Sequence, residues 1–163
     1  MLHPPKQGLV AGGVSVGIYP NQASETTHYV LEHSGAKFIF FGPLTDVQQL
    51  ANGIPDSVKT IGLPYPEVPE TDFEWESLIK QNEPLTEWEP IDPDGVHTMI
   101  YTSGTTGHPK GVMLSGKAVK EVMVGVIERL DFKDDERFFS YLPLSHIFER
   151  GVIALCSLYI GAE

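Results

Sequence analysis

Tyr101-Thr102-Ser103-Gly104-Thr105-Thr106-Gly107-His108-Pro109-Lys110-Gly111-Val112 places three glycines, four serine or threonine hydroxyls and one lysine within twelve residues. Glycines at 104, 107 and 111 free the backbone to take left-handed angles and to bring N–H groups against a ligand. Thr102, Ser103, Thr105 and Thr106 add short donors that can also turn a lone pair toward a cation, and Lys110 adds a mobile positive charge. Such a stretch suits a polyphosphate with its metal. The common nucleotide-triphosphatase loop ends in Gly-Lys-Ser/Thr and opens into a helix. Here Pro109 and Gly111 replace the required glycine and hydroxyl residues, and apolar Val112-Met113-Leu114 follows. The pattern therefore predicts an irregular loop over 102–111 between two strands, with no helix starting at Lys110.

Outward from the loop, Val96 to Tyr101 reads as the strand that delivers it, with His97 an ordinary strand residue. Val119, Val122, Met123, Val126, Ile127 and Leu130 recur at helical spacing, a stripe expected to face the core. Arg137 to Leu142 reads as a further strand, ending at Leu142-Pro143-Leu144-Ser145-His146-Ile147-Phe148-Glu149-Arg150. Polar groups at the carboxyl end of a strand mark the ligand side of an open α/β sheet. The apolar run Gly151 to Ala162 predicts a buried helix, with Cys156 a buried structural thiol.

Toward the N-terminus, Val14 to Ile18 predicts a strand, Ser24 to Ser34 a helix capped by Ser24 and stopped by Gly35, and Lys37 to Phe41 a second strand. That order predicts a parallel crossover unit. Leu44 to Asn52 and Val58 to Ile61 predict a short helix and a weak strand. Leu63 to Pro93 holds six prolines; it is read as a surface connection carrying one short helix over Phe73 to Ile79. The chain thus divides into strand and helix units at 1–62, the proline-rich connection at 63–95, and the loop with its following helices at 96–163.

The 163 residues carry 11 Lys and Arg against 22 Asp and Glu, a formal charge of −11, which opposes a nucleic-acid partner. One cysteine permits no internal disulfide, and the economical setting is a reducing, cytoplasmic one. No apolar run approaches the about 20 residues of a membrane-spanning helix, which leaves room for peripheral membrane association only. Oligomeric state is not readable from these features.

The run Ser103 to Gly111 resembles the phosphate loop of the AMP-forming adenylating enzymes, and 141–150 resembles the corresponding stretch of long-chain fatty acyl-CoA synthetases. Gly12 to Pro20 and Tyr29 to Ser34 are similar to the same family. The resemblance implies an α/β fold, part of the N-terminal domain of the acyl-CoA synthetase and luciferase type, with mainly parallel strands and crossover helices. It implies a ligase that joins a fatty acid to AMP from ATP and then to CoA, with Mg²⁺ as the ion. It assigns Thr102, Ser103, Gly104, Thr105, Thr106, Gly107, Lys110 and Gly111 to ATP, Thr102 to the metal, Lys110 and His146 to catalysis, and His146 with Phe148 to the acyl side. At Ser115-Gly116-Lys117 the chain departs from the histidine or asparagine that family members often carry. The family's ribose-binding motif and C-terminal domain with its lysine are absent, so an inactive fragment of a longer enzyme is expected. Two readings stay open beside this one: a non-catalytic nucleotide-binding or interaction module, and an adenylating enzyme for another carboxylic acid.

Overall fold

A computed structural model describes residues 12–43, 47–84, 86, 90–102, 107–133 and 135–162. In chain order these form β1 (Ser15–Gly17), α1 (Ser24–Ser34), β2 (Phe38–Phe41), α2 (Val47–Ala51), β3 (Lys59–Gly62), β4 (Phe73–Glu74), α3 (Trp75–Gln81), β5 (Val96–Thr102), β6 (Lys110–Ser115), α4 (Gly116–Leu130), a π-helical turn (Glu149–Ala154) and α5 (Leu155–Ile160). They fall into two compact units. The first comprises Met1–Tyr19, Trp88–Thr102 and Lys110–Glu163; the second comprises Pro20–Glu87 with Ser103–Pro109.

The first unit is built on β5, whose Val-His-Thr-Met-Ile-Tyr-Thr sequence is rich in the branched and aromatic residues that suit a pleated surface. β1 pairs with it in parallel, Ser15 opposite Thr98 and Gly17 opposite Ile100. β6 pairs antiparallel on its other side, from Val96 opposite Ser115 to Thr102 opposite Lys110. Thr98, Ile100 and Tyr101 are buried. Ser115 caps α4 by accepting from the Ala118 N–H at 3.2 Å, so this residue has a local structural use. Asp131 closes the helix in the left-handed conformation.

Three expectations for this unit are corrected. The α4 stripe forms the helix, but only Met123 of its six residues is buried, and Val122 and Leu130 are each 59% exposed; periodicity specifies a face, not what covers it. Arg137 to Leu142 is not a strand. Among the described residues no strand ladder forms along it, and its β-prone residues stay open to solvent, Phe139 being 80% exposed. The C-terminal run is helical from Glu149 onward but not buried: Cys156 is fully covered, whereas Leu158 and Tyr159 are exposed.

The second unit is a parallel three-stranded sheet in the order β2, β3, β4. β2 alternates strictly, Ile39 and Phe41 facing a core with Val30, Leu31, Leu50, Val58 and Ile61 while Phe38 and Phe40 face outward. The expected crossover is corrected here, because β1 and β2 belong to different sheets and the parallel unit is β2–α2–β3. Ser24 is the first helical residue rather than the cap. Ala23 holds that position, and the Ser24 hydroxyl donates instead to the Gln49 carbonyl. Gly35 does stop the helix, at φ 66°. Close packing of Gly53 on α1 fixes α2, since a Cβ there would lie 2.2 Å from the Ser24 carbonyl oxygen. Phe73 to Ile79 splits into β4 and the start of α3, so the proline-rich connection contributes a strand to the sheet.

Asp72 secures that strand. Its carboxylate accepts from Lys59 Nζ at 2.8 Å, the Thr60 N–H at 2.9 Å and the Thr60 hydroxyl at 2.8 Å, and these bonds hold it well below its ordinary value of 3.8. A depressed carboxyl stabilises the fold fully above that ordinary value, and the contribution fades as pH falls toward the lower folded value. The melting temperature should therefore exceed that of Asp72→Asn at pH 7 by more than it does at pH 2. An equal gap at both pH values would remove the linkage.

Candidate functional site

In the first unit the β5–β6 ladder ends with Thr102 opposite Lys110. Both side chains are exposed, and among the described residues Lys110 meets no carboxylate. No helix starts at Lys110, as its flanking Pro109 and Val112 to Leu114 predict, but the residue opens a strand where loop was expected. The strands run further into the loop than expected, by one residue at Thr102 and by two at Lys110 and Gly111. Gly111 makes room for a neighbour: a Cβ would sit 3.1 Å from the Tyr101 ring. Ser103, Gly104, Thr105 and Thr106 lie outside the described residues. In the second unit, Gly107 takes φ 102° with open space where a Cβ would point, a conformation that glycine alone adopts without strain. His108 follows and stacks on Tyr29.

The expected acyl-side residues sit on the 142–150 turn of the first unit. The His146 N–H donates to the Pro143 carbonyl at 2.8 Å, and the His146 carbonyl accepts from the Arg150 N–H at 3.0 Å. Nδ1 of His146 accepts from the Phe148 N–H at 3.2 Å, which puts the proton of the neutral ring on Nε2. Phe148 lines a mainly apolar cavity of about 280 Å³ with Val126, Leu130, Phe132, Phe139 and Val152, and the charged Glu136 and Arg137 also border it. His146 is not among its lining residues.

Two residues quoted in the sequence motif without a role turn out to hold this turn. Glu149 is 1% exposed, and its carboxylate accepts from the Leu142 N–H at 3.3 Å. Arg150 is the larger clamp. Its Nε donates to the Leu144 carbonyl at 2.7 Å, and one terminal nitrogen donates to the Thr98 hydroxyl at 2.6 Å and the Ser15 hydroxyl at 3.2 Å. Burial lowers its pKa from the ordinary value. Gly17 lets β1 approach, since a Cβ there would stand 2.9 Å from Ser145 Cα. The only sequence signal for this clamp is a Glu-Arg pair placed directly before an apolar run. Buried charges there need partners.

A wider opening of about 680 Å³ lies along α4 and includes His97 but none of the expected site residues. His97 is structural, as the strand reading has it: its Nε2 lies 2.9 Å from the Asp92 carbonyl, and its ring fills the space that Gly116 leaves open. For a divalent ion, no group of three or more His, Cys, Asp or Glu side chains converges among the described residues. Mg²⁺ takes hard oxygens and draws much of its shell from substrate phosphates and water; the Thr102 hydroxyl fits that pattern as one protein donor.

The family model described as AMP-binding enzyme matches residues 9–163. The chain belongs to the AMP-binding enzyme family. It is 30% identical over 166 residues to long chain acyl-CoA synthetase 4 of Arabidopsis thaliana, covering 90% of this chain and 25% of that protein. It is also 30% identical over 168 residues to fatty acyl-CoA synthetase B of Dictyostelium discoideum, covering 90% and 24%. This AMP-binding chain thus spans about a quarter of the length of these curated relatives. The fold agrees: the crystal structure of the anthranilate CoA ligase AuaEII with anthranoyl-AMP superposes at TM-score 0.77 with 21% identity, over 94% of this chain and 30% of that one. The α/β class with mainly parallel strands is accordingly the family's fold. Among the described residues no helix is long and apolar enough to cross a membrane.

Proposed function

We propose that this chain is part of a long-chain fatty acid–CoA ligase. Its substrates would be ATP, a fatty acid and CoA. The observation that carries the reading is the β5–β6 hairpin, which presents the Thr102 hydroxyl opposite Lys110 at the two ends of a Ser-Gly-Thr-Thr-Gly-His-Pro stretch. The relatives named as acyl-CoA synthetases favour a fatty acid over another carboxylic acid.

In the first half-reaction a fatty carboxylate, already ionised at neutral pH, attacks the α-phosphorus of ATP, and pyrophosphate leaves. In the second, the CoA thiol attacks the acyl carbon of the acyl-adenylate and AMP leaves. Lys110 would balance the charge that grows on the β and γ phosphates as the bond to the α-phosphorus breaks. Thr102 would hold Mg²⁺, which supplies charge neutralisation on the phosphates. Backbone N–H groups of the glycine-rich stretch, with the hydroxyls of Ser103, Thr105 and Thr106, would cradle the same anion. Phe148, facing a mainly apolar cavity, would border the acyl chain, and His146 would sit near it with Nε2–H free to donate. We place the enzyme in the cytoplasm, a reducing compartment that suits the buried free thiol of Cys156, meeting its lipid substrate at a membrane surface.

The test is ATP–pyrophosphate exchange by the complete protein. Exchange that requires a long-chain acid supports the ligase; nucleotide binding without acid-dependent exchange would indicate a non-catalytic module, and exchange driven only by aryl or amino acids would shift the substrate class. In the same assay Phe148→Ala should alter selectivity among acids of different length by about tenfold, the scale of an apolar pocket's discrimination. Equal losses for every acid would take Phe148 out of the acyl pocket.

A further inference from the structure

We propose that Tyr29 is a positioning residue for the phosphate loop, acting through the ring of His108. Within the second unit the Tyr29 and His108 rings stack with centroids 4.8 Å apart and planes at 25°. Tyr29 also stacks on His33, one helical turn along α1, at 5.2 Å and 24°. The two α1 rings are at i and i+4, the spacing at which helix side chains meet. His108 is exposed while Tyr29 is half-buried, so the tyrosine is anchored and the histidine is the guest.

Immediately before His108, Gly107 sits at φ 102°, where no side chain stiffens the backbone. Immediately after it, Pro109 fixes its own φ and offers no N–H. Over 107–109 the loop therefore has one freely jointed residue, one stiff residue and a side-chain anchor between them. A loop rich in glycine loses much conformational entropy when it closes on a ligand. A ring stacked in advance removes part of that loss at 107–109, so ATP meets a loop whose arm at His108 is already held. The role belongs to the aromatic faces, and the tyrosine hydroxyl is not required.

The inference rests on the ligase reading above. In the complete protein, Tyr29→Ala and His108→Ala should each raise KM for ATP about 2- to 12-fold, the range that an aromatic pair's coupling corresponds to, with KM for the fatty acid unchanged. Tyr29→Phe should restore the parent value. The double variant should be no worse than either single one. His108→Ala touches an exposed side chain and guards against a trivial folding defect at Tyr29. A readout independent of activity is the His108 ring resonance in histidine-labelled protein, expected upfield from the Tyr29 ring current and moved back in Tyr29→Ala. Additive losses, an unchanged KM for ATP, or no ring-current shift would each overturn the positioning role. A normal ring-current shift in a protein without acid-dependent exchange would instead overturn the ligase reading and, with it, the proposed consequence for ATP.

Discussion

Lys110→Ala in the complete protein is expected to lower fatty-acid-dependent pyrophosphate exchange by roughly 10²- to 10³-fold, the loss typical when one preorganised donor to developing charge is removed. The position of the residue motivates the size. Lys110 begins β6 opposite Thr102, so its Cα is held by a sheet ladder rather than carried on a free loop, and its ammonium needs no recruitment from a carboxylate among the described residues. The stated role is charge balance on a leaving pyrophosphate, which is largest in the transition state, so the loss should fall on kcat more than on KM for the acid. Lys110→Arg keeps the charge in a planar fork and should recover only part of the rate. Thermal stability should barely move, because the side chain is exposed at a strand end. An Ala variant within about twofold of the parent would remove Lys110 from the chemistry.

How far the sequence carried the fold depended on whether a feature is local. Pro109, Gly111 and the apolar triplet Val112 to Leu114 are enough to keep a helix from starting at Lys110 and to put a strand after the loop, because each acts on its own backbone; the strand's start at Lys110 rather than Val112 comes from its pairing with β5. The same holds for Gly35 at the end of α1. Partner choice is not local. Ser15 meets Thr98 across a separation of 83 residues, and nothing in either strand names the other, so β1 was expected beside β2. Arg137 to Leu142 has strand composition but no strand to pair with among the described residues. Ser24 has a capping side chain, yet the nearby Gln49 carbonyl captured it. At the site, the loop residues and the 142–150 turn were readable as motifs because chemistry needs those residue types close in sequence. The stack of His108 on Tyr29 and the clamp by Arg150 join distant segments through ordinary side chains, and no spacing rule marks them.

The clamp leads to the second large effect. Arg150→Ala should destabilise the first unit by about 3 kcal/mol, the upper range for hydrogen bonds to a charged group. One guanidinium joins three oxygens, from Leu144, Thr98 and Ser15, tying the 142–150 turn to both β1 and β5. Its removal leaves the Thr98 hydroxyl without that donor and withdraws the side-chain bond that holds the Leu144 carbonyl, two residues before His146. Arg150→Lys retains charge but offers one point in place of a fork, so it should recover less than half of the loss. Gly17→Ala is a second route to the same joint. Its new Cβ would stand 2.9 Å from Ser145 Cα, and backbone on one side or the other must shift. Urea unfolding measures the energy, and amide hydrogen exchange locates it. The His146 and Arg150 N–H groups, bonded to the Pro143 and His146 carbonyls, should exchange faster in both variants while the amides of β2 and β3 in the second unit keep their protection. A change below about 0.5 kcal/mol, the range of an ordinary surface substitution, with those two amides as protected as before, would show that the turn is held by the Glu149 carboxylate and backbone alone.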